Sequence, residues 1–323
     1  MPCDGAGGTG GLGAAFRWIY DLWKNGIPGG GGVHGPGCSA TGGIAGYVFW
    51  VDGINGLDTN PGTRFCPYQT IEHALDQCTD NHDDYILVKD CWQQETTWPI
   101  AVDVKRVHII GVANPNNQFP KMQPPGDTAV FLISNDGEYS EIAGFDLSGG
   151  PAHGCIELNN ANGAWIHHCW FGSDFAGGTP QDGIRLLMQN SGAILIENCY
   201  FFGNNSPKGN LTRYGIGMDL VDSNACDNSI MRRNVFHMCP TGAIYLIRAL
   251  GVTIQDNDFV PGSDAQGLAI NLAAALGGCN SCLVTSNRAN IGDAEMTNNP
   301  YIDEDNASHW MYNIAGNEVI YPA

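Results

Sequence analysis

One apolar and polar pattern recurs six times along the chain: Ile142-Ala-Gly-Phe-Asp-Leu147, Ile166-His-His-Cys-Trp-Phe171, Ile196-Glu-Asn-Cys-Tyr-Phe201, Met231-Arg-Arg-Asn-Val-Phe236, Ile254-Gln-Asp-Asn-Asp-Phe259 and Val284-Thr-Ser-Asn-Arg-Ala289. The first residues of these segments stand 24, 30, 35, 23 and 30 positions apart. Between them lies a second strand signature behind a glycine, at Gly154, Gly183, Gly215, Gly242 and Gly267. Repetition at such a period marks a solenoid, with each repeat one coil and the longer intervals holding loop insertions. The gaps are too short for the helices that a doubly wound sheet or an α/β barrel needs. The pattern therefore predicts an all-β chain, wound as a right-handed single-stranded parallel β-helix.

Alternation within a strand sets which side chains face out. In the second segment it points Ala164, Ile166 and Phe171 inward and Trp165, His167 and Trp170 outward. Rungs stack roughly 4.8 Å apart, so equivalent positions form columns. One column, Cys169, Cys199, Asn234, Asn257 and Asn287, reads as an amide ladder that satisfies turn backbone. Two outward columns are largely apolar: Trp165, Leu195, Ile230 and Thr253, then Trp170, Tyr200, Val235 and Asp258. Apolar side chains repeated outside a coil need a cover. Packing against other coils is one cover, a sugar ring stacked on aromatic faces a second, and overlying loops a third.

Residues 1–45 differ from the rest. Two glycine-rich stretches flank one apolar segment, in which Phe16, Ile19, Tyr20 and Trp23 fall on one helical face beside Trp18. So short a helix needs something to pack against, and the reading is an anchor for docking to a particle. Its alternative is packing on the chain's own β-domain. The coil spans 46–290, and 291–323, where the pattern fades, forms a C-terminal cap rich in Trp310, Met311, Tyr312 and Ile314.

The coil begins with Gly46-Tyr47-Val48-Phe49-Trp50-Val51-Asp52-Gly53-Ile54-Asn55-Gly56-Leu57-Asp58-Thr59-Asn60-Pro61-Gly62, then Pro67-Tyr68-Gln69-Thr70-Ile71-Glu72-His73-Ala74-Leu75. Thr70 opens a short helix with Ile71, Ala74, Leu75 and Cys78 on one side. This passage resembles the opening of pectate-lyase-like parallel β-helix proteins, in which the small helix caps the coil. The resemblance covers about thirty residues and implies a fold. It leaves activity open, because lyases, hydrolases, epimerases and tailed-phage tailspikes share that fold. The lone Arg-x-x-Pro, Arg64 to Pro67, falls in the opening loop, and Ala152-His153-Gly154 is a partial echo of the polygalacturonase pattern, so neither supplies a lyase or pectinase signature. Of these groups the architecture is most similar to the tailspikes, which are trimers.

Composition adds limits. There are 44 Gly and 17 Pro, which suits short strands and many turns. The formal net charge is −19, which repels phosphate backbones, so no nucleic acid is expected as a partner. No apolar run approaches the roughly 18 residues needed to cross a bilayer, and no signal peptide opens the chain, so synthesis in a host cytoplasm without membrane insertion is expected. The twelve Cys read as small buried hydrophobes in a reducing compartment, the lone Cys279-x-x-Cys282 pair included. No cofactor and no metal is expected: adjacent His167 and His168 should face opposite ways, and Asp80 to Asp84 reads as an acidic helix exit.

The candidate chemistry sits on the glycine-led strands. Glu157, Arg185, Asp219 and Tyr245 face outward, and Asp182 stands just before its strand. Carboxylates beside an arginine suit work on glycosidic bonds. Two rungs between Glu157 and Asp219 would bring the carboxyls near the ~6.5–9.5 Å of an inverting acid and base pair. The plain alternative is a solvated face with surface ion pairs. Trp165, Trp170, Tyr200 and Tyr245 are the candidate sugar platforms. Together these observations lead to one expectation: a homotrimeric tailspike-type virion protein. It would be held to phage tail or capsid proteins by residues 1–45, and would bind and possibly depolymerise host surface polysaccharide. A free carbohydrate-active lyase or glycoside hydrolase is the first alternative. A non-enzymatic capsid decoration or other structural virion protein is the second.

Overall fold

The computed structural model describes residues 46–89, 94–114, 118–173, 178–187, 192–204, 209–219, 226–260, 268–273, 278–289, 300–304, 306–315 and 318–319. The proposed anchor residues Phe16, Trp18, Ile19, Tyr20 and Trp23 lie outside them. The described chain winds as a parallel β-helix with three long sheets. The first has ten strands, from Val48–Val51 to His309–Met311. The second has nine, from Lys121–Met122 to Ile314–Ala315 and Glu318–Val319, and the third has eight, from Ile100–Val102 to Tyr301–Asp303. One coil runs through Glu141–Ala143, Asp146–Leu147 and Gly154–Asn159 in turn, and the next begins at Trp165–His167, paired in parallel with Glu141–Ala143.

The register explains why these residues stack. Ile142, Ile166, Ile196, Met231, Ile254 and Val284 align across the first sheet and are fully buried. Phe171, Phe201, Phe236 and Phe259 align across the second and stack face to face, with centroids 4.7, 4.5 and 5.1 Å apart. Each stack contributes about 0.5–1.5 kcal/mol beyond its buried area. Two glycines of the strand signature serve this ladder: a Cβ at Gly183 or Gly215 would stand 2.4 Å from the ring of Phe201 or Phe236.

The corner between the first and second sheets is made by left-handed residues His168, Asn198, Arg233, Asp256, Ser286 and Tyr312, each at φ between 52° and 57°. The amide ladder follows them. Asn257 Oδ1 accepts from Asn234 N (2.9 Å) and Asn234 Nδ2 (3.1 Å), while its own Nδ2 donates to the Met231 carbonyl (3.0 Å). Asn287 repeats these bonds one rung on. Cys169 and Cys199, at the matching places, are buried free thiols.

Thr70 caps the helix Ile71–Leu75, accepting from His73 N at 3.1 Å, and Ile71, Ala74 and Leu75 are buried. Glu95 completes the cap by accepting from Ile71 N and Glu72 N at 2.8 and 3.1 Å. At the other end the stacking runs past residue 290. Tyr301–Asp303, His309–Met311 and Ile314–Ala315 pair in parallel with the coil before them. Asn313 joins the amide ladder there, and Trp310 takes the inward place that Val284 holds one rung earlier. Hydropathy hid this rung because an indole fills the aliphatic position. Glu318–Val319 then turns back antiparallel on Ile314–Ala315.

Candidate functional site

The third sheet gathers the predicted carboxylates and arginine into one cluster on its outer face. Its register is Glu157 beside Arg185 beside Gly217 beside Tyr245. Asp182 aligns with Gly154, one place earlier than a glycine-to-glycine alignment would give, and so begins its strand outward-facing. Glu157 is nearly buried, with His153 Nδ1 at 2.9 Å and Arg185 Nη1 at 3.8 Å. Arg185 Nε donates to Asp219 Oδ2 at 2.5 Å, its Nη2 also meets that carboxylate, and its Nη1 reaches the Ala152 carbonyl. The two rungs between Glu157 and Asp219 are thus not an open gap: the Arg185 guanidinium stands between the two carboxylates.

Arg213 is the residue that the repeat did not disclose. It lies just before the glycine-led strand Tyr214–Met218. There it donates through Nε to Asp182 Oδ1 at 2.9 Å, through Nη2 to Asp182 Oδ2, and through Nη2 to Asp219 Oδ1 at 2.9 Å. A basic residue two places before Gly215 was the available signal. Asp182 has no exposed surface and also accepts from Tyr214 N at 3.0 Å. Burial raises its pKa from the ordinary aspartate value, against the pull of Arg213. Burial works against the Arg213 cation, but its bond to Asp182 and the nearby Asp219 outweigh it and hold its pKa up.

Beside these charges Tyr214 and Tyr245 stack at 4.8 Å with planes 9° apart, and the Arg213 guanidinium lies 5.1 Å over the Tyr214 ring. Burial, with Tyr245 adding to it, pushes the Tyr214 phenol up to about 12. Gly217 makes the arrangement possible. A Cβ there would meet Tyr214 Cδ2 at 2.8 Å and the Asp182 carboxyl at 3.0 Å. The cluster thus offers a half-buried aromatic pair next to hydrogen-bonding groups, of which Arg185, Arg213 and Asp219 keep 15%, 27% and 23% of their side-chain surface exposed.

The four proposed sugar platforms do not share a face. Tyr245 belongs to this cluster. Trp170 and Tyr200 lie on the second sheet, 6.2 Å apart, where Phe119 and Phe202 join them at 5.9 and 6.0 Å from Trp170. Trp165 is on the first sheet, stacked on His167 at 4.1 Å with its Nε1 donating to Glu197 Oε1 at 3.2 Å.

That first-sheet face carries a second charged cluster. Glu141 accepts from His108 Nδ1 at 2.5 Å and from His167 Nε2 at 2.6 Å. His167 Nδ1 lies 2.6 Å from His168 Nδ1. The two histidines, expected on opposite faces, meet because His168 is the left-handed corner residue, which ends the strand's alternation. Burial acts against the Glu141 carboxylate, but its two histidines outweigh it and hold its pKa at about 2. Burial and then His167 depress His168 to about 4. Sequence reasoning missed Glu141, which aligns with Trp165, Leu195 and Ile230 in the rungs after it and with His108 in the rung before it.

No protein-family model and no curated protein sequence matches the chain. Solved structures similar to it include the lacto-N-biosidase from Eubacterium ramulus, at 12% identity and a TM-score of 0.50, over 83% of this chain and 60% of that one. The alginate lyase from Paenibacillus sp. is similar at 15% identity and 0.44, over 76% of this chain and 93% of that one. The Dettilon tailspike protein is similar at 14% identity and 0.32, over 75% and 63%. The chain spans about 60% of the lacto-N-biosidase's length, and at these identities the likeness is one of fold. The protein is a parallel β-helix, the class that the opening strand, turn and cap helix implied.

Proposed function

We propose that this protein binds polysaccharide along the third-sheet face, as a trimeric virion protein of the tailspike type. The observation that carries glycan binding is the stacked pair Tyr214 and Tyr245 set against the Arg185, Arg213 and Asp219 cluster. Aromatic faces suit the C–H surface of a pyranose, and charged hydrogen-bonding groups beside them suit its hydroxyls. Each carboxylate of the cluster already faces a guanidinium, an arrangement for holding hydroxyls more than for protonating a leaving group. Binding is therefore the main activity and depolymerisation a further one. Support for the trimer comes from the row Trp165, Leu195, Ile230, Thr253 and Leu283, half-buried and largely apolar along the outside of the first sheet. Attachment to tail or capsid proteins is assigned to residues 1–45.

The test combines two measurements. Light scattering on the full chain of 34.5 kDa is expected to give a trimer of about 104 kDa, and a monomer would remove the seam. Glu157→Ala, Asp182→Ala and Asp219→Ala are then assayed for polysaccharide binding and cleavage. Loss of binding in the Asp219 variant supports the face. If all three variants bind and cut as the parent does, the site is elsewhere.

A further inference from the structure

The charge arrangement on the third sheet carries a statement about which glycans fit, and it rests on the glycan-binding reading above. Glu157, Asp182 and Asp219 supply three carboxylates, and Arg185 and Arg213 two guanidiniums, all interlocked. Arg185 is directed at Asp219 through Nε and Nη2, and at the Ala152 carbonyl through Nη1. Arg213 is directed at Asp182 through Nε and Nη2, and at Asp219 through Nη2. One more acid borders the face: Asp127 Oδ1 accepts from Ala152 N at 2.8 Å and holds the loop that Arg185 reaches.

A carboxylate or sulfate on an incoming sugar would have to displace an internal carboxylate from a bidentate guanidinium, beside acids of its own sign. Like charges brought together at an interface suppress the wrong partner. A neutral hydroxyl meets no such penalty: it donates to the outer carboxylate oxygens or accepts from remaining N–H groups. The long-range field of a chain at −19 acts in the same direction during encounter. We infer that the interlocked Glu157, Arg185, Asp219, Arg213 and Asp182 network on the third sheet selects polysaccharides that carry no carboxylate or sulfate groups.

The experiment uses the full chain on a polysaccharide array with equal numbers of neutral, uronate-containing and sulfated polymers. The expected result is binding to neutral polymers at least about tenfold above the best polyanion, about 1.4 kcal/mol. Stronger binding to a polyuronate or sulfated polymer overturns the inference while leaving the glycan reading intact. Absence of binding to every polymer overturns both. Asp219→Asn supplies the second arm. Freeing the Arg185 and Arg213 N–H groups from Asp219 is expected to raise binding to polyuronates several-fold over the parent. A folded variant, checked by circular dichroism, with no such gain overturns the inference independently of which neutral glycan is preferred.

Discussion

Two charged clusters sit on the outside of the same coil, built from acids and bases on neighbouring rungs, and they differ in cover. On the first sheet, Glu141 and His167 are almost sealed, Trp165 lies over His167, and Tyr85 stacks on His108 at 4.3 Å. On the third sheet, Arg185, Arg213 and Asp219 keep part of their side chains in solvent, and Gly217 leaves the face low. The ion pairs themselves do not separate a structural cluster from a binding one. What separates them is whether a ligand can reach the paired groups. A sealed cluster must satisfy itself and is felt in stability, whereas an open one can lend its hydrogen bonds to a ligand.

The comparison can be broken most directly at Glu141. Replacing it by Ala leaves buried His167 and partly exposed His108 without their carboxylate, and breaking a buried pair such as Glu141 with His167 costs about 3–5 kcal/mol. Urea unfolding followed by far-UV circular dichroism reads that loss, and a change below 1 kcal/mol would show the cluster to be dispensable. Next in size is Asn257→Ala. It removes the acceptor of Asn234 N and Nδ2 and the donor to Met231, and losing these buried bonds costs about 2–3 kcal/mol. The same unfolding measurement checks it.

A pH series sharpens the contrast without any substitution. His168 is held at about 4 in the folded chain, below the ordinary histidine value of about 6.5. The unfolded chain therefore binds more protons between those values, so stability is complete above about pH 6.5 and falls as pH drops toward 4. Glu141, at about 2, acts in the same direction further down, with stability lost as pH falls from about 4.5 toward 2. Midpoints of thermal unfolding from pH 7 to 3 should decline accordingly; a flat profile contradicts the sealed-cluster description. The smallest stability effect belongs to the open face. Asp219→Asn is expected to cost about 1 kcal/mol or less, as partly exposed pairs do, while reducing binding to neutral glycans. A large stability loss there would place the third-sheet cluster with the structural one.

The legible part of the molecule was the part that repeats. Ile166, Ile196 and Ile254 in one column and Asn234, Asn257 and Asn287 in another could be read because every coil must fill the same place with the same shape. Glu157, Arg185 and Asp219 could be assigned to one face because they stand on the glycine-led strands. Arg213 was not legible, and His153 was noted only as a motif echo and not as a partner of Glu157, since both lie in the turns before their strands, where the period carries no constraint. Glu141 was hidden for the opposite reason. Its column runs on through Trp165, Leu195, Ile230 and Thr253, so a buried acid stood against an apolar trend, and its partner His108 precedes it in the same column, outside the six recognised repeats. The last rung was missed because Trp310 and Asn313 keep the pattern's places with a different inward side chain.

The proposed glycan face on the third sheet is the central claim, and oxidative footprinting of the full chain with and without polysaccharide reads it residue by residue. Protection is expected at Tyr214 and Tyr245, with Trp165, Trp170 and Tyr200 unchanged between the two samples. Protection of Trp170 and Tyr200, with Tyr214 and Tyr245 unaffected, would contradict the account and move the binding surface to the second sheet.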